Sequence, residues 1–131
     1  MIENIKSQMR KGLLEYCILS LINQKESYSS DILEVLKAAD LIVVEGTLYP
    51  LLSRMKTNGL LDYRWQESKD GPPRKYYRLT EEGHVLLSQL DGEWNAICTS
   101  INALVSKASA ADVQVPYTES DPLFTPITPI Q

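Results

Sequence analysis

From residue 2 to residue 22, apolar side chains return every four positions, at Ile5, Met9, Leu13, Cys17 and Leu21, and Leu14, Ile18 and Ile22 widen the stripe. That spacing places them on one face of an amphipathic helix of several turns. Its first ten residues carry only a thin apolar edge, Ile2, Ile5 and Met9, so this end is expected to leave the core as an arm and pack on a partner. The polar run from Asn23 to Ser27 ends the helix. A second, short helix follows with apolar positions at Ile32, Val35, Leu36 and Ala39. Ser27, Ser29 or Ser30 is expected to cap it, and Asp31 stands in its first turn, where the helix dipole favours an acid. Leu41 to Val44 reads as a brief edge strand or a buried connection.

A third helix is expected between Gly46 and Gly59. Leu48, Leu51, Leu52 and Met55 fall within about 100° of one another at helical spacing, and Asn58-Gly59 supplies a left-handed stop. Pro50 is compatible with this helix if it starts near Gly46 or Thr47, because backbone N–H groups of the first turn have no intrahelical partner. The face opposite the leucines is Gly46, Pro50, Ser53 and Thr57, flanked by Tyr49 and Lys56 on one side and Thr47 and Arg54 on the other. Every residue on that face is slim.

After Gly59 the period changes to two. Leu61, Tyr63 and Trp65 alternate with Asp62, Arg64 and Gln66, and Lys75, Tyr77 and Leu79 alternate with Arg74, Tyr76 and Arg78. This predicts two strands. The segment from Glu67 to Pro73, with Asp70-Gly71-Pro72-Pro73, predicts a projecting loop longer than a two-residue hairpin turn. Thr80 then caps a last helix with Glu81 and Glu82 in its first turn. Leu87, Leu90, Trp94, Ile97, Ile101 and Leu104 follow at alternating spacings of three and four, a heptad seam along a helix roughly 40 Å long. So long a helix outruns a core of this size, and Gly92 weakens it by up to about 1 kcal/mol, so its stability is expected to come from packing on a partner. From Asp112 the chain is rich in proline, lacks Lys and Arg, and has no apolar period; the sequence predicts a disordered or extended tail over residues 110–131.

Length and composition narrow the function. The 131 residues suit one domain with an appendage, and no apolar run approaches the ~20 residues of a membrane span. The start of the chain lacks the apolar block of a signal peptide, which implies a cytoplasmic protein. Cys17 and Cys98 lie in apolar stretches and read as small buried hydrophobes rather than a disulfide, a thiol switch or part of a metal set. His84 reads as a surface side chain. With one histidine, no Gly-rich phosphate loop and no nucleophile beside a base, the chain has no inventory for an enzyme, so no catalytic residue, metal or cofactor is expected.

Net charge of −4 argues against a nucleic-acid partner until it is divided along the chain. Residues 46–80 hold seven Lys or Arg against three Asp or Glu, while the remainder is acidic. The basic segment coincides with the third helix and the hairpin. Three helices followed by a hairpin make a winged helix-turn-helix, in which the third helix reads the major groove. Groove entry requires a slim, uncharged-to-basic helix face with flanking phosphate-binding groups. The candidate DNA contacts are accordingly Thr47, Tyr49, Pro50, Ser53, Arg54, Lys56 and Thr57 on the helix, and Lys69, Arg74, Lys75 and Arg78 on the hairpin. Tyr76 and Tyr77 could serve as platforms beside them, whereas Tyr63 and Trp65, like Tyr77, also fit plain hairpin packing. The candidate dimer interface is Ile5 and Met9 from the first helix with Leu87, Leu90, Trp94, Ile97, Ile101 and Leu104 from the last. The expected fold is mainly α with a small β-hairpin. A winged helix-turn-helix with its N-terminal arm spans 1–80, a coiled-coil-like dimerisation helix 80–109, and the tail 110–131.

Residues 46–55 (GTLYPLLSRM), Gly59-Leu60-Leu61, and residues 71–83 (GPPRKYYRLTEEG) resemble the signature of PadR-type transcriptional regulators. The resemblance runs from about residue 6 to residue 106 and fits the short members, in which a single helix follows the wing. It implies a bacterial homodimer, usually a repressor, that binds an inverted repeat in double-stranded promoter DNA and dimerises through its first and last helices. It also implies that Trp94 could pair with its symmetry mate and hold a small aromatic effector; simple packing of the dimer core is the competing reading. Where the family commonly has Gly-Tyr at the start of the second helix, this chain has Ser29-Ser30. Another class of function stays open on the residues alone: a dimeric winged-helix module that binds an acidic protein partner and no DNA.

Overall fold

A computed structural model describes residues 1–41 and 43–106. The tail expected over 110–131, the end of the 80–109 segment and Ile42 lie outside the described residues. Four helices and three strands occur in the order α1 (Ile2–Gln24), β1 (Ser27–Tyr28), α2 (Ser29–Ala38), α3 (Glu45–Thr57), β2 (Leu61–Ser68), β3 (Gly71–Leu79) and α4 (Glu81–Val105). The strands form an antiparallel sheet in the order β1-β3-β2. The fold is a winged helix-turn-helix followed by a long helix, mainly α as the periodicities required.

Two compact units divide the described chain, one from Met1 to Glu93 and the other from Trp94 onward. The core of the first is built from Ile18, Leu19 and Ile22 of α1, Ile32 and Leu36 of α2, Leu48, Leu51, Leu52 and Met55 of α3, Leu61 of β2, Tyr77 of β3 and Leu87 of α4. In α2, α3 and α4 these are stripe positions; in α1 the buried centre is Ile18, Leu19 and Ile22, with Leu19 outside the expected stripe and Leu13, Cys17 and Leu21 of its four-residue row only half-buried. Residues at periods of 3.6 and 2 converge because only one face of each element is apolar. Leu87, counted above in the heptad seam, is only 6% exposed and belongs to this core. Leu90 is half-buried against it. The arm of α1 carries Ile2, Ile5 and Met9 on its surface. Both cysteines are free and half-buried, and burial pushes the Cys17 thiol above its ordinary pKa.

Backbone capping explains the boundaries. At the end of α3, Gly59 adopts φ 78°; Leu60 N–H donates to Met55 O and Gly59 N–H to Lys56 O, both at 3.0 Å. This is a Schellman motif, and the stop expected at Asn58-Gly59 is its cause. The same arrangement closes α2 around Asp40, at φ 61°, with Leu41 N–H donating to Leu36 O at 2.8 Å and Asp40 N–H to Lys37 O at 3.0 Å. Thr80 caps α4 as expected: its Oγ1 accepts the Gly83 N–H at 3.0 Å and donates to Gly59 O at 2.6 Å.

Four local expectations are corrected. None of the three serines caps α2. Tyr28 holds that position in extended conformation, and the Asp31 carboxylate reaches back to accept its N–H at 3.2 Å. Ser27 and Tyr28 instead form β1, opposite Tyr77 and Tyr76. Of the two readings of the segment from Leu41 to Val44, no strand forms among its described residues; Leu41 and Val43 are instead half-buried against the core as a connection, and exposed Val44 is the N-cap of α3. Helix α3 begins at Glu45, so Pro50 lies in the second turn, not the first. Its lost hydrogen bond would have gone to the carbonyl of Gly46, a residue on the exposed side of the helix, so the proline leaves no buried acceptor without a donor. Finally, the hairpin is tighter than expected, with Ser68 facing Gly71 across Lys69-Asp70. An irregularity in register falls beside Pro72 and Pro73. There β3 has no neighbour on its other edge, so the missing proline donors cost no ladder bonds to β1.

Candidate nucleic-acid interface

Helix α3 shows one buried and one exposed side. Leu48, Leu51, Leu52 and Met55 are in the core, while Gly46, Thr47, Tyr49, Pro50, Ser53, Arg54, Lys56 and Thr57 are exposed. The slim row Gly46, Pro50, Ser53 and Thr57 is therefore open to a groove-sized partner. Its two flanks are built differently. On one, Thr47, Pro50, Leu51 and Arg54 line a shallow groove of about 400 Å³ with Lys11, Gly12, Leu14 and Glu15 of α1. Arg54 forms an ion pair with Glu15 there, a pairing across 39 positions that no local pattern reveals. On the other flank, the Tyr49 hydroxyl lies 3.1 Å from Ser29 Oγ, a side chain only 3% exposed. This bond ties the start of α2 to α3 through Ser29, the first of the two serines at the start of the second helix.

The β2–β3 register sorts the wing into two faces. Leu61 pairs with Leu79, Tyr63 with Tyr77 and Trp65 with Lys75 on the face that continues into the core; Asp62 with Arg78, Arg64 with Tyr76 and Gln66 with Arg74 lie on the outer face. Arg74 and Lys75 consequently leave opposite faces. On the outer face, Arg74 stacks on the Tyr28 ring at 4.7 Å and Arg64 on Tyr76 at 5.2 Å. Arg64 is bound to Glu26 at 2.7 Å and Arg78 to Asp62 at 3.3 Å. The Tyr63 N–H donated to Asp62, and then Arg78, hold the Asp62 carboxyl below its ordinary pKa. On the core-side face, Lys56 and Lys75 both sit over the Tyr63 ring, at 5.2 and 4.6 Å.

The structure thus divides the eleven candidate contacts. Arg54 and Arg78 have carboxylate partners within the chain. Among the described residues Lys56, Lys69, Arg74 and Lys75 pair with no carboxylate, leaving their charge available to phosphates. Tyr77 is a core side chain, 7% exposed, and burial first, then the phenols of Tyr63 and Tyr49, push its pKa up. Tyr28 was missed because a two-residue strand leaves no period to read. Trp65 is 61% exposed and bounds an open depression with Glu67, Pro72 and Pro73. No group of acids, histidines and cysteines among the described residues could hold a metal, and no described helix is long and apolar enough to cross a membrane.

In the second unit, Trp94, Ile97, Ile101 and Leu104 of α4 are 38, 44, 50 and 71% exposed. They recur at heptad spacing, so they lie in one apolar row along the helix, of which Ile97, Ile101 and Leu104 are the more exposed members.

Comparison with known proteins connects these features. The profile of the transcriptional regulator PadR-like family matches residues 18–89, from the buried end of α1 through Leu87. A PadR-like transcription factor from Bacteroides fragilis is 54% identical, with a TM-score of 0.66 over 77% of this chain and 98% of that one. A PadR-like transcriptional regulator from Bacillus cereus is 38% identical, with a TM-score of 0.69 over 76% and 97%. The Bacillus subtilis PadR structure, solved in complex with operator DNA, is 25% identical with a TM-score of 0.56, over 60% of this chain and 46% of that one.

Proposed function

Because this chain belongs to the PadR-like family of transcriptional regulators, whose proteins are regulators and not enzymes, we propose that it is a dimeric repressor that binds double-stranded promoter DNA at an inverted repeat. The observation that carries the reading is the exposed slim face of α3 beside Lys56 and Lys75, two cations that form no ion pair among the described residues. In this reading Ser53 and Thr57 meet base edges in the major groove, and Thr47, Tyr49 and Lys56 meet the phosphates that border it. The wing enters the neighbouring groove edge-on, since Arg74 and Lys75 emerge from opposite faces and can each reach a separate wall. The operator-bound state of the Bacillus subtilis relative supports the class of partner.

Two copies are joined, on this proposal, through the α1 arm and the α4 row. Ile5 and Met9 on the first and Ile97, Ile101 and Leu104 on the second are exposed apolar side chains, Trp94 stands in the same heptad row, and α4 needs partner packing for its length. A small aromatic effector bound at paired Trp94 rings would release the operator by biasing the relative placement of the two wings.

The test is binding to the gene's own upstream fragment across a salt series. Several phosphate contacts require log affinity to fall steeply with log salt, by about 0.9 per contact. Arg74→Ala and Lys75→Ala should weaken binding to every duplex about equally, while Ser53→Ala or Thr57→Ala should change the preferred sequence. A shallow slope, or wild-type binding by both sets of variants, would refute the reading and favour a protein partner.

A further inference from the structure

Two lysines from different elements converge on one ring. Lys56 comes from the last turn of α3 and Lys75 from the middle of β3, and their ammonium groups lie 5.2 and 4.6 Å from the Tyr63 centroid. Lys75 is also 5.3 Å from the Trp65 ring. Like charges gathered around one ring repel, and long lysine side chains lose rotamer freedom on being held, so both need a reason to stay. The ring supplies it. The negative quadrupole of an aromatic face attracts a cation within about 6 Å.

Tyr63 is suited to this because it is itself immobilised. It meets the buried Tyr77 edge-on at 5.9 Å and 62°, and Trp65 at 5.9 Å and 86°. Tyr77 belongs to the core and Tyr63 packs half-buried against it, so the ring is anchored there, with Lys75 half-exposed and Lys56 exposed beside it. The adjacent carboxylate of Asp62 accepts the Tyr63 N–H at 2.8 Å and pairs with Arg78. Lys56 acts on that carboxylate only through its field, and neither lysine forms an ion pair among the described residues, so an anion arriving between helix and wing meets two ammonium groups held by one ring.

We propose that Tyr63 is a positioning residue which holds the Lys56 and Lys75 ammonium groups together as a single phosphate clamp at the junction of α3 and the wing. The inference rests on the DNA-binding reading and deepens it: the recognition helix and the wing grip the same stretch of phosphodiester backbone because one ring orients a cation from each. A tyrosine that reads at sequence level as hairpin packing thereby sets the spacing between the two DNA-contacting elements.

The experiment measures promoter affinity against salt for the full chain and for Lys56→Met, Lys75→Met, Tyr63→Leu, Tyr63→Phe and the Lys56→Met/Lys75→Met pair with and without Tyr63→Leu. Each lysine variant should lower the salt slope by about 0.9. Tyr63→Leu should lower it by between one and two such steps although both lysines remain, with affinity falling roughly 5- to 30-fold at moderate salt. Tyr63→Phe keeps a ring face and should recover the slope. Added to the double lysine variant, Tyr63→Leu should change nothing further.

A purely structural role would lower the melting temperature and the active fraction while leaving the slope intact, and that result overturns the proposal. A second readout needs no variant to fold: in the wild-type protein the ε-methylene protons of Lys56 and Lys75 should show upfield ring-current shifts in NMR, and ordinary random-coil values for both would likewise overturn it. If the wild-type chain shows no salt-dependent promoter binding, the DNA-binding reading fails, an outcome distinct from an unchanged slope in Tyr63→Leu.

Discussion

Adding one methyl group at Gly83 should cost the winged domain a large share of its stability. A Cβ built there would lie 2.2 Å from the Leu60 carbonyl oxygen and 3.2 Å from its carbon. Carbon and oxygen make comfortable contact near 3.3–3.6 Å, so the start of α4 or the α3–β2 connection must move by about 1 Å. Neither is free to do so. The Leu60 oxygen accepts the Thr80 N–H at 3.1 Å, and Thr80 Oγ1 joins Gly59 O to the Gly83 N–H; the displacement therefore pulls on the cap of α4 and the Schellman turn of α3 together. Overpacking of this kind costs about 1–3 kcal/mol, and loss of the cap about 1 more. The better helix propensity of alanine returns at most about 1 kcal/mol. Gly83→Ala should thus be destabilising by about 2–3 kcal/mol, equivalent to a fall in Tm of roughly 10–20 °C for a domain of this size. Gly92 provides the control within the same helix. It is exposed, and nothing lies within 4 Å of its would-be Cβ, so Gly92→Ala should stabilise by up to about 1 kcal/mol. Thermal and urea unfolding followed by circular dichroism at 222 nm measure both. Equal signs for the two substitutions, or a Gly83→Ala stability within about 0.5 kcal/mol of wild type, would refute the close approach of α4 to Leu60.

Asp40 holds a left-handed conformation in which a Cβ is unfavourable, so Asp40→Gly should stabilise by about 0.5–1 kcal/mol in urea unfolding, less what the glycine adds to unfolded-state entropy; destabilisation would show that the Asp40 side chain contributes to the turn. Tyr77 has its pKa raised by burial: the unfolded chain releases the phenolic proton first, so its contribution is fully present below about pH 10 and is lost as pH rises through the folded value. Tyr77→Phe should accordingly flatten the alkaline decline of Tm above pH 10, and an unaltered decline would assign it to other groups. A charge at the seam should separate the proposed dimer. Ile97→Asp or Ile101→Asp should shift the mass measured by analytical ultracentrifugation at micromolar concentration to that of one chain, with operator affinity falling at least tenfold because two half-sites are no longer held by one particle; a wild-type chain that is already monomeric would refute the interface.

The elements of this protein were legible because their signals are local. A four-residue apolar return predicts α1, the leucines of α3 define its buried side, and alternation marks the hairpin; the Thr80 cap and the Gly59 stop follow from side-chain chemistry within a few residues. The slim face of α3 was legible for the same reason, since helix geometry converts spacing directly into direction. Other features depend on residues far apart in the chain. The pairing of Ser27-Tyr28 with β3 makes a strand too short to show a period. The Arg54–Glu15 and Arg64–Glu26 pairs remove cations that composition counts as available. Gly83 is required by a carbonyl more than twenty positions earlier.

What the order of residues determined by itself, then, is that four helices and a hairpin follow one another, which side of α3 is apolar, and that positive charge is concentrated in residues 46–80 of an acidic chain. Which of those charges stand open to a phosphate was decided only by tertiary packing. Backbone hydrogen bonds and side-chain periodicity act over a turn or two of chain, whereas the field at a lysine depends on every carboxylate and ring the fold brings within a few ångströms of it. Lys56 and Lys75, nineteen residues apart in sequence, share one ring because α3 and β3 pack against the same core.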